Sequence, residues 1–239
     1  YHGRLGSPLY LSASYTWSRS IDDASQDSAV FLIQPGYRLA SGRANSSFDV
    51  RHALSASFAY RMPEHLPAAL KEWTLSGVLR AHTGFPIDVP NGEPALGLRY
   101  VNSGRPDLVP NVPLWLNLPD APGGRVLNPA AFSLPANGAT GNLGRNAITG
   151  NGLVQLDLSL RRRFRLYRGW QAEAGINAFN ATNTPAFADP VPYLSSPWFG
   201  QTTSMPNIMF GFGRPNGGLS PMLQMGGLRL MELDLRFSF

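Results

Sequence analysis

The sequence predicts an all-β fold: an antiparallel up-and-down transmembrane β-barrel segment of about six strands, one domain across residues 1–239. Three observations predict it. Six stretches alternate apolar and polar residues with period two, the mark of a strand with one apolar and one polar face. The connections between them are alternately long and short, as in barrels with turns on one side of a membrane and loops on the other. All 21 prolines fall outside the stretches, as strands paired along both edges require.

The first stretch is LYLSASYTWS, where Leu9, Leu11, Ala13, Tyr15 and Trp17 alternate with Tyr10, Ser12, Ser14 and Thr16. In FDVRHALSASFAYRM, Phe48, Val50, Leu54, Ala56, Phe58, Tyr60 and Met62 face away from Asp49, Arg51, Ser55, Ser57 and Arg61. WTLSGVLRAHTGF sets Trp73, Leu75, Leu79, Ala81 and Phe85 against Thr74, Ser76, Arg80 and His82. VQLDLSLRRRF sets Val154, Leu156, Leu158, Leu160 and Phe164 against Gln155, Asp157, Ser159, Arg161 and Arg163. WQAEAGINAFN is the weakest, with Trp170, Ala172, Ala174, Ile176 and Ala178 opposed to Gln171, Glu173, Gly175 and Asn177. The last, LRLMELDLRFSF, sets Met231, Leu233, Leu235, Phe237 and Phe239 against Glu232, Asp234, Arg236 and Ser238.

The gaps at 22–47, 86–152 and 183–227 are long, and those at 63–71 and 166–169 are short. Loops this long count against a compact soluble domain. By parity the last strand runs toward the periplasm and the carboxyl terminus lies there. The outward aromatics then sort by depth into two girdles. Trp17, Phe48 and Phe85 fall near the outer level, and Tyr60, Trp73, Phe164 and Trp170 near the inner one. Arg162 and Arg229 interrupt the apolar face near strand ends, where arginine can snorkel.

Composition excludes several classes. There is no cysteine, so no disulfide framework and no thiolate metal site. No apolar run approaches the ~20 residues of a transmembrane helix, and YHGRLGSPLY is not a signal peptide. The net charge is +5, carried by 19 Arg and one Lys. Nucleic acid binding would need those bases on one surface, and the only tight cluster is Arg161, Arg162, Arg163 and Arg165. No nucleic-acid partner is expected. The inward face carries Arg51, Arg61, Arg80, Asp157, Arg161, Arg163, Glu173, Asp234 and Arg236, which would line the lumen. Arginine suits contact with a facing carboxylate because its fork holds one bidentately; a solvated lumen wall is the plainer alternative.

Catalytic and metal chemistry finds little support. His2, His52, His65 and His82 are scattered, and Ser55 and Ser57 point inward, away from a lipid-facing hydrolase site. Asp22, Asp23 and Asp27 could hold Ca²⁺ in a loop, but the spaced glycine of a calcium loop is missing. GNLGRNAITGNG lacks the lysine and following helix of a P-loop. No enzyme activity and no cofactor is expected. Six strands do not close a transmembrane barrel, whose smallest form has eight, and an open edge in lipid leaves backbone groups unsatisfied. The chain is therefore expected to be the carboxyl-terminal part of something larger, with the signal peptide and the missing part on the amino-terminal side.

An ordered series of segments carries a family resemblance: YTWSRSIDD (15–23), FDVRHALSAS (48–57), LSGVLRAHTGFPIDV (75–89), RPDLV (105–109), LNPAAF (127–132), GNLGRNAITGNG (141–152), INAFNATNTPAF (176–187) and FGQTTS (199–204). In that order they resemble the carboxyl-terminal barrel of TonB-dependent outer-membrane receptors of the Oar-like kind, whose amino-terminal end carries a carboxypeptidase-regulatory-like domain. Ala172, Ala174 and Ala178 depart from the larger apolar residues common in that pattern, and PVPYLSSPW matches no segment of it. The resemblance implies a barrel of about 22 strands, a plug, energised uptake or surface handling of a substrate, and coupling to TonB. It also implies that Leu235, Phe237 and Phe239 form the signal read by the barrel-assembly machinery. Outer-membrane lipid and lipopolysaccharide would surround the wall. The alternatives are a passive porin or adhesin-like barrel, and a soluble secreted β-sandwich binding carbohydrate through aromatics such as Trp115 and Trp198.

Overall fold

The computed structural model describes residues 2–5, 9–23, 25, 42–63, 65–67, 69–91, 104–136, 141–205 and 226–238. The chain forms β1 (His2–Leu5), β2 (Leu9–Trp17), β3 (Ile21–Asp22), β4 (Ala44–Asn45), β5 (His52–Arg61), β6 (Trp73–His82), β7 (Pro86–Ile87) and β8 (Asp107–Leu108). It continues with β9 (Trp115–Asn117), β10 (Arg125–Leu127), β11 (Phe132–Ser133), β12 (Ile148–Thr149), β13 (Leu153–Arg165), β14 (Gln171–Phe179) and β15 (Leu230–Ser238).

Seven strands pair into one sheet in the order β1-β2-β5-β6-β13-β14-β15. Every pair is antiparallel. The six alternating stretches supply β2, β5, β6, β13, β14 and β15. The seventh strand, HGRL, is too short and too mixed for alternation to reveal; it is held by pairing with β2 from His2↔Ser12 to Leu5↔Leu9. The sheet is open, with β1 and β15 at its edges, and among the described residues it does not close into a barrel.

Register keeps the two faces continuous across the sheet. One row runs Tyr60–Leu75–Leu160–Ile176–Leu233, the next Phe58–Gly77–Leu158–Ala178–Met231, and the one after Ala56–Leu79–Leu156. A one-residue slip at any pair would turn a whole strand over, so alternation and pairing enforce the same answer. On the apolar face Gly77 leaves a notch that Phe58 and Leu158 fill from either side. A Cβ there would sit 2.5 Å from the Phe58 ring and 2.8 Å from a Leu158 methyl, so the glycine lets a neighbouring aromatic lie flat across it.

The strands fall short of the alternating stretches at most ends, and three of these shortfalls involve girdle or inward-face residues. Residues 48–51 are a turn, not part of β5. There Asp49 accepts the Ser20 N–H at 2.6 Å and pairs with Arg51 at 3.1 Å, which draws Phe48 and Arg51 out of strand geometry. Phe85 lies beyond β6, and Trp170 precedes β14, where its carbonyl accepts the Leu166 N–H at 2.7 Å.

The long connections are not structureless. They hold four two-stranded ladders, β3–β4, β7–β12, β8–β11 and β9–β10. Around these, Ile87, Val89, Leu127, Ala131, Phe132, Leu143, Ile148 and Phe199 form a small core. Each fully buried aliphatic there contributes about 1.5–3 kcal/mol. The cap is thus folded on its own apolar interior, separate from the bare apolar face of the sheet.

Candidate functional site: the polar face and its loop cap

Register decides which charges meet on the polar face. Arg161 of β13 lies opposite Gly175 of β14, and Gly175 opposite Asp234 of β15. With no side chain at 175, the guanidinium of Arg161 reaches Asp234 at 3.2 Å and Glu173 at 3.2 Å. A Cβ at 175 would sit 2.7 Å from an Asp234 carboxylate oxygen, so glycine keeps the crossing open. Arg163 approaches the other Glu173 oxygen at 3.5 Å. Asn177 donates to Asp234 at 3.0 Å, and Ser159 donates to Asn177 at 2.7 Å. Two guanidinium groups and two carboxylates form one neutral network.

Toward the loop end of the same face, Arg80 meets Asp157 at 3.1 Å, and Gln155 donates to Asp157 at 2.8 Å. Arg236 stands opposite Glu173, and Arg61 opposite Thr74. Between the two charged groups is a cavity of about 310 Å³ lined by Tyr10, Ser57, Val78, Asp157, Asn177 and Phe179. Arg51, placed on this face by alternation, sits instead in the turn described above. Leu235 and Phe237 are exposed on the opposite, apolar face; Phe239 and Asp27 lie outside the described residues.

The loops cover the loop-side end of the polar face. Gln155 accepts the Gly226 N–H at 2.7 Å, Asp157 accepts the Asn180 N–H at 2.9 Å, and Asn180 donates to Gly227 O at 2.6 Å. The consequence shows on three consecutive residues of β13: Leu153 is 5% exposed and Gln155 3%, while Val154 between them is 57% exposed. Leu233, at 78%, is barer still. A soluble sheet buries its apolar face and wets its polar one. At this end of β13 the arrangement is reversed.

One arginine ties the first long connection to the second. Arg145, 6% exposed, donates to Gly42 O at 2.9 Å, Ser25 Oγ at 3.0 Å and Asp22 O at 2.7 Å, and pairs with the Asp22 carboxylate. Asn146, in the left-handed conformation, donates to Asn45 O at 2.8 Å. Burial acts to raise the Asp22 carboxyl, but hydrogen bonds from Ser46, Ser25 and Arg145 outweigh it and hold the group below its usual range. Asp22 is therefore engaged by a cation, and no group of three or more metal-binding side chains forms among the described residues.

A second polar node joins the second and third connections. Asp189 accepts the Asn151 N–H at 3.1 Å, and Asn151 donates to Ala188 O at 2.8 Å. Arg125 donates to Gly150 O at 2.8 Å with its guanidinium 3.9 Å from the Trp115 ring centroid. A Cβ at Gly150 would collide with the Asp189 carboxylate. Burial pushes the Asp189 carboxyl up, against the lowering effects of the Asn151 N–H and the Arg125 charge. Neither node was visible in the sequence. The partners are remote, and their only local sign is an arginine or aspartate inside a Gly- and Pro-rich run.

The family comparison bears on the same surfaces. Residues 1–209 match the model of an outer membrane beta barrel domain. The chain belongs to that family. No curated protein and no solved structure matches it. Membership in the outer membrane beta barrel family accounts for the bare apolar face, since lipid covers it in the bacterial outer membrane. No second sheet packs on the seven-stranded sheet among the described residues, as a sandwich would need.

Proposed function

We propose that the chain forms part of the barrel wall of a TonB-dependent outer-membrane receptor that takes up its substrate with energy delivered through TonB. The loop cap supports an energised receptor over a passive pore. Its connections are seated on Gln155, Asp157 and Asn180 and stapled to one another by Arg145, which covers the loop-side end of the polar face on β13. The eight segments quoted above support the Oar-like branch. Further strands complete the wall, because edges such as β1 and β15 do not persist unpaired in lipid. The carboxyl terminus faces the periplasm, a plug meets the polar face, and Phe239 with Phe237 and Leu235 is read by the barrel-assembly machinery. No catalytic residue is assigned.

Planar-bilayer recording on the full-length protein tests the proposal. A plugged receptor shows no steady conductance until the plug is unfolded by denaturant, and it binds the periplasmic domain of TonB. A stable open conductance from the intact protein, with no TonB binding, would show a passive barrel.

A further inference from the structure

We propose that Arg162 is a lipid site: it holds the phosphate of an anionic glycerophospholipid against the outside of the barrel wall. Four arginines crowd the end of β13, and their partners differ. Arg161 bridges Glu173 and Asp234, Arg163 meets Glu173, and Arg165 lies 3.8 Å from Glu72. Arg162 points to the opposite face. Its neighbours in register are Trp73 on β6 and Ala174 on β14, with Leu235 next in the row. Its guanidinium lies 5.5 Å from the Trp73 ring centroid and 5.0 Å from that of Phe164.

A cation on a lipid-facing surface is costly at the midplane and tolerated at headgroup depth. Trp73 and Phe164 mark that depth, where amphipathic and aromatic rings collect. Cation–π contact with the rings orients the guanidinium plane, and its fork matches phosphate oxygens bidentately. Ala174, small beside Arg162 and Leu235, leaves room for the start of an acyl chain. The lipid class rests on the proposed orientation. Arg162 is near the strand end that leads into the short turn 166–169, which puts it in the periplasmic leaflet with glycerophospholipids and not among lipid A. Phosphatidylglycerol is favoured over phosphatidylethanolamine, whose own ammonium competes for the phosphate.

Native mass spectrometry of the full-length protein, released from detergent with phosphatidylglycerol, phosphatidylethanolamine or lipid A added, tests the site. The parent should retain phosphatidylglycerol about tenfold better than phosphatidylethanolamine, and Arg162→Gln should abolish that preference. Arg162→Lys should keep part of it, having charge without the fork, and Arg229→Gln should keep all of it. Retention by the parent should also weaken with salt. Equal retention of phosphatidylglycerol by the parent and Arg162→Gln overturns the proposal. Selective loss of lipid A overturns it too, and reverses the orientation assigned to the barrel. The heat-modifiable folded band on gels reports assembly separately, so a protein that never shows it counts against the barrel itself.

Discussion

Replacing Arg145 with methionine should release the first long connection from the second while leaving the sheet intact. Methionine keeps the length of the buried stem but removes the donors to Gly42 O, Ser25 Oγ and Asp22 O and the charge opposite Asp22. Breaking a buried ion pair costs about 3–5 kcal/mol. Asp22 retains 23% side-chain exposure, so water relieves part of the loss, and about 2–4 kcal/mol is expected. That energy belongs to local opening of the cap and not to global unfolding. Hydrogen exchange on the folded protein in detergent should therefore accelerate about 30- to 1000-fold at the β3–β4 amides, with the amides of β6 and β13 unchanged. Acid should reproduce the effect. A carboxyl held below its unfolded value stabilises fully above that value and loses the contribution as pH falls through the folded one, so the staple weakens below about pH 4. Arg19→Met, at an exposed arginine of the same connection, is the control. Unchanged exchange at β3–β4 in Arg145→Met would show that the connection is held elsewhere.

Leu233→Arg should lower the heat-modifiable fraction, at a cost of about 2–4 kcal/mol on a lipid-facing midplane site, whereas Glu232→Arg on the other face should not; equal yields would refute the facing. Gly150→Ala should loosen the cap by about 1–3 kcal/mol through the collision with Asp189, measured as faster exchange at β10 and β12. A carboxyl raised by burial stabilises below its unfolded pKa and loses that contribution as pH rises through the folded value. Exchange around Asn151 should accordingly quicken with rising pH beyond its intrinsic dependence, and Asp189→Asn should flatten the excess.

The strands were readable because a lipid-facing wall repeats one instruction, apolar out and polar in, at every second residue. Pairing then had only to respect it. Where that rule lapses, the sequence misleads. Phe48 continues the alternation of β5, yet Asp49 leaves the ladder to take the Ser20 N–H. Gly3 in HGRL offers no face at all, and β1 forms only because β2 presents a free edge. The cap was unreadable for a different reason. Leu127 and Phe199 share one core though 72 residues apart, Asp22 and Arg145 are 123 residues apart, and neither pairing follows a period. Alternation assigned the charges to one face without grouping them, and Arg51 sits instead in a turn. Their grouping depended on Gly175, whose missing side chain lets Arg161 reach past β14.

That crossing also offers a way to ask what fills the lumen. Arg161, Glu173 and Asp234 are 33%, 23% and 28% exposed in the sheet alone. If water fills the space in front of them, the Arg161–Asp234 pair behaves as a surface ion pair. A double-mutant cycle with Arg161→Gln and Asp234→Asn should then give a coupling of about 0.2–1 kcal/mol that fades with salt. If a plug covers them, water is excluded and the interaction strengthens in the lower dielectric. Coupling of about 1.5–3 kcal/mol, nearly independent of salt, is expected in that case. Gly175→Ala supplies a third arm, since its Cβ would push Asp234 away from Arg161. It should remove most of the coupling without removing either charge. Denaturant unfolding of the full-length protein in detergent, compared with the same protein after deletion of the proposed plug, gives all the terms. A covered lumen predicts that plug deletion lowers the coupling toward the surface value. A coupling that is small, salt-sensitive and indifferent to plug deletion would mean that the plug does not rest on this part of the wall.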